Sequence, residues 1–153
     1  MEAPDSATRG RQLDDIAEAL PRRAETLARL FVSHTTVEIT RTETGVLSAL
    51  EARPRRITEL AAGEGVTQPA MTLLVNRLEQ RGWAERRPDP ADRRAVLVAL
   101  TPQGSQTFEQ LRAEYRALVH EEMATLPDYD IETLARSVDI LDHVIERLGG
   151  QVP

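Results

Sequence analysis

Arginine side chains around one turn-rich segment have the clearest capacity for chemistry in this chain. The pairs Arg86-Arg87 and Arg93-Arg94 enclose residues 88–92, which contain two prolines and two aspartates. Turn formers between two β-prone segments predict a hairpin with an extended, arginine-rich tip. The two predicted strands are residues 84–87 and 95–100. Because guanidinium groups make forked hydrogen bonds to phosphate and to guanine, this tip is suited to nucleic acid.

A helical segment lies directly before the hairpin. Thr67 is a suitable N-cap for it, and Pro69 is tolerated in the first turn. Four apolar residues at helical spacing are predicted to pack inward: Met71, Leu74, Val75 and Leu78. The outer face then consists of Gln68, Pro69, Thr72, Leu73 and Asn76.

Two interpretations are open for the polar residues of that outer face. One is a solvated helix surface. The other is contact with DNA, because glutamine and asparagine pair bidentately with adenine, and the methyl groups of Thr72 and Leu73 suit thymine. A helix behind a turn and before a basic hairpin favours DNA. The helix would enter the major groove, and the arginine tip would reach phosphate or the neighbouring minor groove.

Two shorter helices are predicted upstream, where they can position the outer face. Thr40 and Glu43 have capping-box spacing and begin a helix that ends at Arg53-Pro54. A second short helix covers residues 57–62, and the glycines at 63 and 65 supply a turn. Two helices about a glycine-containing turn, the second one longer, are typical of a helix-turn-helix.

These segments resemble the winged helix-turn-helix of the MarR family of bacterial transcription regulators. The wing signature of that family is Asp-x-Arg and, after five further residues, Leu-Thr. It is present here as Asp92, Arg94, Leu100 and Thr101. The resemblance covers roughly residues 24–148, and it is specific in the helix-turn-helix and the wing but generic in the terminal helices. It implies a recognition helix at residues 68–81.

The predicted DNA contacts lie on that helix and on the wing. The full set is Thr67, Gln68, Pro69, Thr72, Leu73, Asn76, Arg77, Arg86, Arg87, Arg93 and Arg94. The resemblance implies that Arg94 or Arg93 is the minor-groove arginine. Asp92 cannot favourably approach phosphate, so we expect it to brace the hairpin through an ion pair with the arginine two residues later. Leu73 departs from the family pattern, which often has arginine at this position.

Amphipathic helices are predicted on both sides of this region. Pro21 interrupts the first and marks a kink or the start of a new helix. Thr101-Pro102 begin a long helix, and a last helix, capped after Pro127, carries an apolar seam of nearly three heptads. Packing within one chain is one explanation for these stripes, but a twofold dimer is favoured and is also what the resemblance implies. The predicted dimer interface is Leu13, Ile16, Leu20, Ile131, Leu134, Val138, Leu141, Ile145 and Leu148.

The resemblance also implies an effector site between the dimerisation helices and the DNA-binding region. His34 falls on the apolar stripe of the first helix. A satisfied core histidine is the ordinary interpretation, and a ligand-lining residue is the alternative. The candidate set is Arg29, Leu30, Phe31, His34, Leu47 and Met71, and the expected effector is a small aromatic or phenolic molecule.

Composition argues against several functional classes. The 153 residues include no cysteine, which excludes disulfides and cysteine-ligated zinc. No pattern for nucleophilic catalysis, phosphate cradling or paired-carboxylate chemistry is present, so no enzyme activity, cofactor or metal is expected. No apolar stretch has the length of a membrane span, and the N-terminus has no signal core, so a cytoplasmic protein without a membrane partner is expected.

Charge is unevenly distributed along the chain. The net charge is −6, yet residues 40–103 carry 10 arginines and 8 acidic residues, a net of +2. The remaining residues, with 9 arginines and 17 acidic residues, have a net charge of −8. This division favours a DNA-facing middle segment between acidic flanks.

We therefore expect a mainly α fold with a small β-hairpin wing, in which a winged helix-turn-helix is flanked by N- and C-terminal dimerisation helices. The predicted divisions are a flexible tail at 1–11, a dimerisation helix and linker at 12–39, the DNA-binding domain at 40–101 and dimerisation helices at 102–150. The expected function is a homodimeric regulator, a repressor, of a pseudo-palindromic double-stranded operator, released by its effector. The alternative is a winged-helix protein-interaction module with weak or no specific DNA binding.

Overall fold

The computed structural model describes residues 6–92 and 94–149, and within these ranges it contains six helices and two strands. The elements are α1 (Ser6–Ser33), α2 (Arg41–Ala52), α3 (Ile57–Glu64), α4 (Gln68–Gln80), β1 (Ala84–Pro88), β2 (Val96–Leu100), α5 (Pro102–Met123) and α6 (Asp128–Arg147). The chain forms two compact units, Met1–Ala113 and Glu114–Pro153, whose boundary falls within α5. The predicted mainly α fold with a hairpin wing is confirmed.

The first helix is longer than predicted. It begins at Ser6, so residues 6–11 are helical and the expectation of a tail through residue 11 is wrong there. Residues 1–5 of that tail lie outside the described residues. Pro21 starts no new helix, since α1 continues through it to Ser33. Most of α1 is solvent-exposed, and its apolar side chains include Leu13 and Ile16, both more than half exposed.

Local capping groups fix the start of α2 and the end of α3. The Thr40 hydroxyl accepts the Glu43 N–H at 3.2 Å and the Glu43 carboxylate accepts the Thr40 N–H at 2.9 Å, which confirms the capping box. The helix α3 runs to Glu64, two residues beyond its predicted end, and Gly65 caps it in the left-handed region with φ of 64°. A side chain with a Cβ disfavours that conformation, so glycine is the residue that ends α3 sharply.

The core of the first unit lies between α2, α4, the hairpin and the start of α5. Its fully buried side chains are Val46, Leu47, Met71, Val75, Leu78, Val98 and Leu111. Leu74 is also buried, so all four residues predicted on the inner face of α4 do pack inward. Apolar burial on this face leaves the opposite face of α4 at the surface.

The hairpin is short and antiparallel. Ala84 pairs with Leu100, and the register runs to Pro88 opposite Val96 at the tip end. Arg55, in the loop between α2 and α3, adds a bridge on the other side of β2: its N–H donates to the Val98 carbonyl at 3.0 Å, and the Val98 N–H donates back at 2.8 Å. The hairpin is thus anchored to the helix-turn-helix on the side of β2 that does not pair with β1.

A compact polar joint connects β2 to α5. The Thr101 hydroxyl accepts the Gly104 N–H at 2.9 Å and donates to the Gly82 carbonyl at 2.6 Å. Thr101 therefore caps α5 and also holds the turn between α4 and β1. Gly104 lies directly against the backbone of Trp83, closer than a side chain would allow. The second unit begins after this joint and contains the end of α5 and all of α6, and no described residue of α6 is buried.

Candidate nucleic-acid interface

The recognition helix predicted at residues 68–81 is α4. The Thr67 hydroxyl accepts the Ala70 N–H at 3.4 Å, and Pro69 lies in the first turn, so the predicted start of the helix is confirmed. Gln68, Pro69 and Asn76 are exposed, Thr72 is half-buried, and Leu73 is 62% exposed. An apolar side chain left so open on a helix face can contribute apolar contact to a base methyl group or to another protein.

Arg77 extends the exposed face but is partly held by the protein. Its Nε lies 3.5 Å from the Glu43 Oε1 atom, and the Glu43 side chain is almost completely buried. The other carboxylate oxygen of Glu43 accepts hydrogen bonds from Thr40. A buried carboxylate that is held this way restricts Arg77 while leaving part of its guanidinium open to an outside partner.

A second polar connection joins α4 to the wing. Arg86, on β1, pairs with Glu79 through Nη1 and donates from Nη2 to the Asn76 Oδ1 atom at 2.8 Å. Arg87, the next residue on the strand, points to the opposite face and is exposed. Within residues 6–92 and 94–149, its side chain has no hydrogen-bond or ion-pair partner. Arg86 is therefore engaged within the protein while Arg87 is open to a partner, a difference that the sequence pattern did not predict.

The wing tip is braced by Asp89. The buried carboxylate of Asp89 accepts from Arg56 Nη2 at 2.8 Å and from the Ala91 N–H at 2.9 Å. Its main chain closes the loop through a hydrogen bond from the Asp89 N–H to the Ala95 carbonyl at 3.0 Å. The sequence had assigned the brace to Asp92 and Arg94.

Asp92 has a smaller part in this brace than expected. It accepts the backbone N–H of Arg94 at 3.1 Å and lies 3.9 Å from Arg56, and no ion pair joins it to the Arg94 side chain in the described part of the chain. The Arg94 side chain is exposed at the tip. Arg93, the other predicted minor-groove arginine, lies outside the described residues.

The ion pair between Arg56 and Asp89 makes the stability of the fold depend on pH. The hydrogen bond and charge of Arg56 hold the pKa of Asp89 below its ordinary value. A carboxyl group with a lowered pKa in the folded state stabilises the fold above its unfolded pKa and loses that contribution as the pH falls through the folded value. We therefore expect Asp89→Asn to lower the free energy of unfolding at pH 7, with a difference from wild type that narrows as the pH falls below about 4. Urea unfolding of both proteins between pH 7 and pH 3 measures this difference. If the difference in free energy of unfolding were as large at pH 3 as at pH 7, the stabilisation would not come from the charged form of Asp89.

The far end of α4 is connected to the segment that follows α1. Arg81, the C-cap of α4, donates from Nη1 to the Glu38 carbonyl. Its guanidinium also lies over the Trp83 ring, 4.8 Å from the ring centroid. A cation over an indole face is attracted by the ring quadrupole, so Trp83 holds Arg81 in place. Nothing in the local sequence pattern predicted this connection.

The six residues of the predicted effector site occupy different environments. Leu47 and Met71 are fully buried in the core, Phe31 is half-buried, and Arg29 and Leu30 are exposed. His34 is exposed at the end of α1, where its Nδ1 atom lies 2.8 Å from the Leu30 carbonyl oxygen. In the single chain His34 is therefore not a core residue, because α1 ends there and the imidazole caps its last turn. A ligand-lining role for this set stays a prediction.

The apolar residues predicted at a dimer interface are open to solvent in the single chain. On α1, Leu13, Ile16 and Leu20 are exposed. On α6, Leu141 is half-buried, and the other members of the predicted seam are exposed: Ile131, Leu134, Val138, Ile145 and Leu148.

Five residues that organise the site were missed by sequence reasoning: Glu43 as a buried partner of Arg77, and Arg56, Glu79, Arg81 and Asp89. The capping box had identified Glu43 only as a helix cap. Pro88-Asp89-Pro90 was assigned to a turn, and the position of an aspartate between two prolines was the available sequence signal for a brace. The described residues hold no cluster of histidine and acidic side chains that could bind a metal ion. None of the helices in these ranges is long and apolar enough to span a membrane.

Known proteins share this arrangement of helix-turn-helix and wing. Residues 38–95 match the model of the MarR family. The multiple antibiotic resistance protein MarR of Salmonella typhimurium is 43% identical over 54 residues, which are 35% of this chain and only 38% of that protein. The uncharacterized HTH-type transcriptional regulator YcgE of Bacillus subtilis is 30% identical over 105 residues, which are 64% of this chain and 66% of the relative. The crystal structure of apo MarR from E. coli superposes with a TM-score of 0.66 at 26% identity, over 92% of this chain and 98% of that one.

Proposed function

Because this chain belongs to the MarR family through its residues 38–95, we propose that it is a homodimeric, sequence-specific DNA-binding transcription regulator. The observation that carries the proposal is the open outer face of α4, next to a braced hairpin with exposed Arg87 and Arg94. The helix would lie in the major groove and read base edges, while the wing arginines would contact phosphate or the minor groove. The family consists of regulators and not of enzymes, so this chain is not expected to catalyse a reaction.

A twofold dimer would supply the partner that the terminal helices need. Helix α6 has 20 residues and an apolar seam, but none of its described side chains is buried. In proteins most of the stability of a helix comes from burying its apolar face and not from intrinsic helix propensity. Pairing of α1 and α6 with the same helices of a second copy would bury these faces. It would also set two copies of α4 about one turn of DNA apart, which suits a pseudo-palindromic operator.

Repression and effector release are the finer parts of the proposal. A small aromatic or phenolic ligand near the end of α1 would favour one dimer shape over another and so change the affinity for DNA. The hydrogen bond from Arg81 to the Glu38 carbonyl supports this idea, since it joins the segment after α1 to the end of α4. A regulator of this kind acts in the cytoplasm, where its operator is.

A protein-interaction module is the competing function, and two observations favour it. The chain has a net charge of −6, and the middle of the α4 face is occupied by Leu73, an open apolar side chain where an arginine contact to DNA is missing. Binding to DNA through phosphate contacts falls steeply as salt rises, whereas apolar docking to a protein does not. Salt dependence of duplex binding therefore separates the two functions.

The test is fluorescence anisotropy with the duplex from upstream of the protein's own gene, titrated beside a scrambled duplex of equal length at several salt concentrations. We expect tight binding that prefers the native duplex and weakens with salt. Weak, salt-insensitive binding to both duplexes would reject the regulator and favour the interaction module.

Arg94→Ala is expected to weaken binding to both duplexes by about tenfold, because a charge-assisted contact to phosphate contributes without regard to sequence. In a plot of the logarithm of the association constant against the logarithm of the salt concentration, the magnitude of the slope should fall by about one for each phosphate that the variant no longer neutralises. Gln68→Ala should instead reduce the ratio of the affinity for the native duplex to the affinity for the scrambled duplex. Arg136→Ala, which removes an exposed arginine of α6, is the control with the same change in net charge. Equal reductions in affinity for Arg94→Ala and Arg136→Ala would contradict a contact at the wing tip.

A further inference from the structure

The outer face of α4 carries one polar network that the predicted DNA contacts do not account for. Arg86 on β1 donates from Nη2 to the Asn76 Oδ1 atom at 2.8 Å and pairs through Nη1 with Glu79. The side chains of Arg86 and Glu79 are both half-buried, while Asn76 is exposed. Two of the three residues were expected to contact DNA independently of each other.

The chemistry of the network decides which way the Asn76 amide faces. A guanidinium group only donates hydrogen bonds, so the amide oxygen of Asn76 must face Arg86. The amide nitrogen, with its two N–H donors, is then left on the open side. An unrestrained asparagine recognises adenine with both groups, since its oxygen accepts from the adenine N6 amino group while its nitrogen donates to N7.

With its oxygen engaged, Asn76 offers donors to the major groove. Guanine presents two acceptors there, N7 and O6, and thymine presents O4. Cytosine presents an amino donor, and adenine carries its N6 amino donor beside N7, where guanine has the acceptor O6. The outward N–H groups of Asn76 could donate only to N7 of adenine and would face its N6 donor without an acceptor. Guanine and thymine, which present acceptors without an amino donor, are therefore favoured over adenine, which is the base the isolated side chain would prefer.

We propose that Arg86, held by Glu79, is a positioning residue that sets the hydrogen-bonding direction of Asn76, so that Asn76 selects guanine or thymine over adenine. The inference rests on the proposed DNA-binding function and specifies how one base pair of the operator is read. It also changes the role expected for Arg86, whose charge is paired with Glu79 and not directed to phosphate. Arg87, exposed on the opposite face of β1, is still expected to contact a DNA phosphate.

The experiment is selection of binding sites from a library of random duplexes with the full-length protein and four variants. Asn76→Ala identifies the base position that Asn76 contacts, because only that preference should disappear. At this position wild type should enrich guanine or thymine. Arg86→Leu should shift the enrichment to adenine by about 5-fold or more, since the amide becomes free to pair with both adenine groups.

Two further variants separate this effect from a general change in the interface. Arg86→Leu combined with Glu79→Gln removes the carboxylate that would otherwise face DNA unpaired, and it should give the same shift to adenine. Arg87→Ala is the matched control on the neighbouring residue, and it should lower affinity for every duplex without changing any preference.

A measurement on the wild-type protein covers the case in which the Arg86 variants do not fold. For a guanine at the identified position, 7-deazaguanine removes the N7 acceptor and should weaken binding by about 5-fold. An unchanged affinity would overturn the inference. Adenine enriched by wild type at this position, or no shift in folded Arg86 variants, would also overturn it while leaving the proposed function in place. A wild-type protein that enriches no motif at all would reject the proposed function and the inference together.

Discussion

Replacing Gly104 by alanine is expected to destabilise the winged domain by about 3 kcal/mol or more, because there is no space for a methyl group at this position. A Cβ atom on Gly104 would lie 1.9 Å from the carbonyl oxygen of Trp83 and 2.7 Å from its carbonyl carbon. These are backbone atoms, and the same carbonyl accepts the Thr101 N–H at 3.1 Å. The first turn of α5 would have to move away from the start of the hairpin.

Urea unfolding followed by circular dichroism measures this effect. Gly63→Ala is the control, since Gly63 lies in α3 and a Cβ there meets no atom within 4 Å. Alanine is a better helix former than glycine, so the control should raise stability by up to about 1 kcal/mol. Equal stabilities for the two variants would show that α5 can withdraw from Trp83 at little cost.

This crowded joint gives a structural reason for the Leu-Thr pair that carries part of the family resemblance. Leu100 pairs with Ala84 at the base of the hairpin. Thr101 caps α5 and ties it to Gly82 through its hydroxyl. A hydroxyl that accepts and donates at once cannot be replaced by an apolar side chain of similar size without leaving a backbone group unsatisfied. The pair therefore holds the hairpin, α4 and α5 in one arrangement.

Placing a charge on the apolar seam of α6 is expected to prevent formation of the proposed dimer. Val138 is in the middle of that seam and is 55% exposed in the single chain. Val138→Glu would therefore leave the interior of the monomer intact, but in a twofold dimer it would put two carboxylates into an apolar interface. We expect the dimer dissociation constant to rise by about 100-fold or more and the affinity for a palindromic duplex to fall with it.

Sedimentation equilibrium gives the dimer dissociation constant, and anisotropy gives the affinity for the duplex. His143→Glu is the matched control, because it introduces the same side chain on the side of α6 opposite to the seam. The control should remain dimeric and should bind DNA as wild type does. An unchanged sedimentation profile for Val138→Glu would place the dimer interface elsewhere or show that the chain acts as a monomer.

Local sequence features were sufficient to place the helices and the hairpin and to identify several of their ends. The capping box of Thr40 and Glu43, the N-cap of Thr67 and the apolar spacing on α4 are all local features, and each was confirmed. They were predictable because a cap or a helix face depends on residues three or four positions apart. The tail predicted through residue 11 and the alternative of a new helix at Pro21 were wrong, because single proline and glycine residues were given more weight than a long helical pattern.

The pairing of the charged residues, in contrast, could be seen only in the folded chain. The brace of the wing joins Arg56 to Asp89, which are 33 residues apart, and not neighbouring residues of the tip. Likewise, Arg81 bonds to a carbonyl group 43 residues earlier. Such pairs depend on which surfaces the packed core brings together, and a sequence full of arginine and acidic residues allows many alternatives. The sequence therefore shows which residues are available for a DNA contact, while the fold decides which arginines are already engaged by a carboxylate and which remain open.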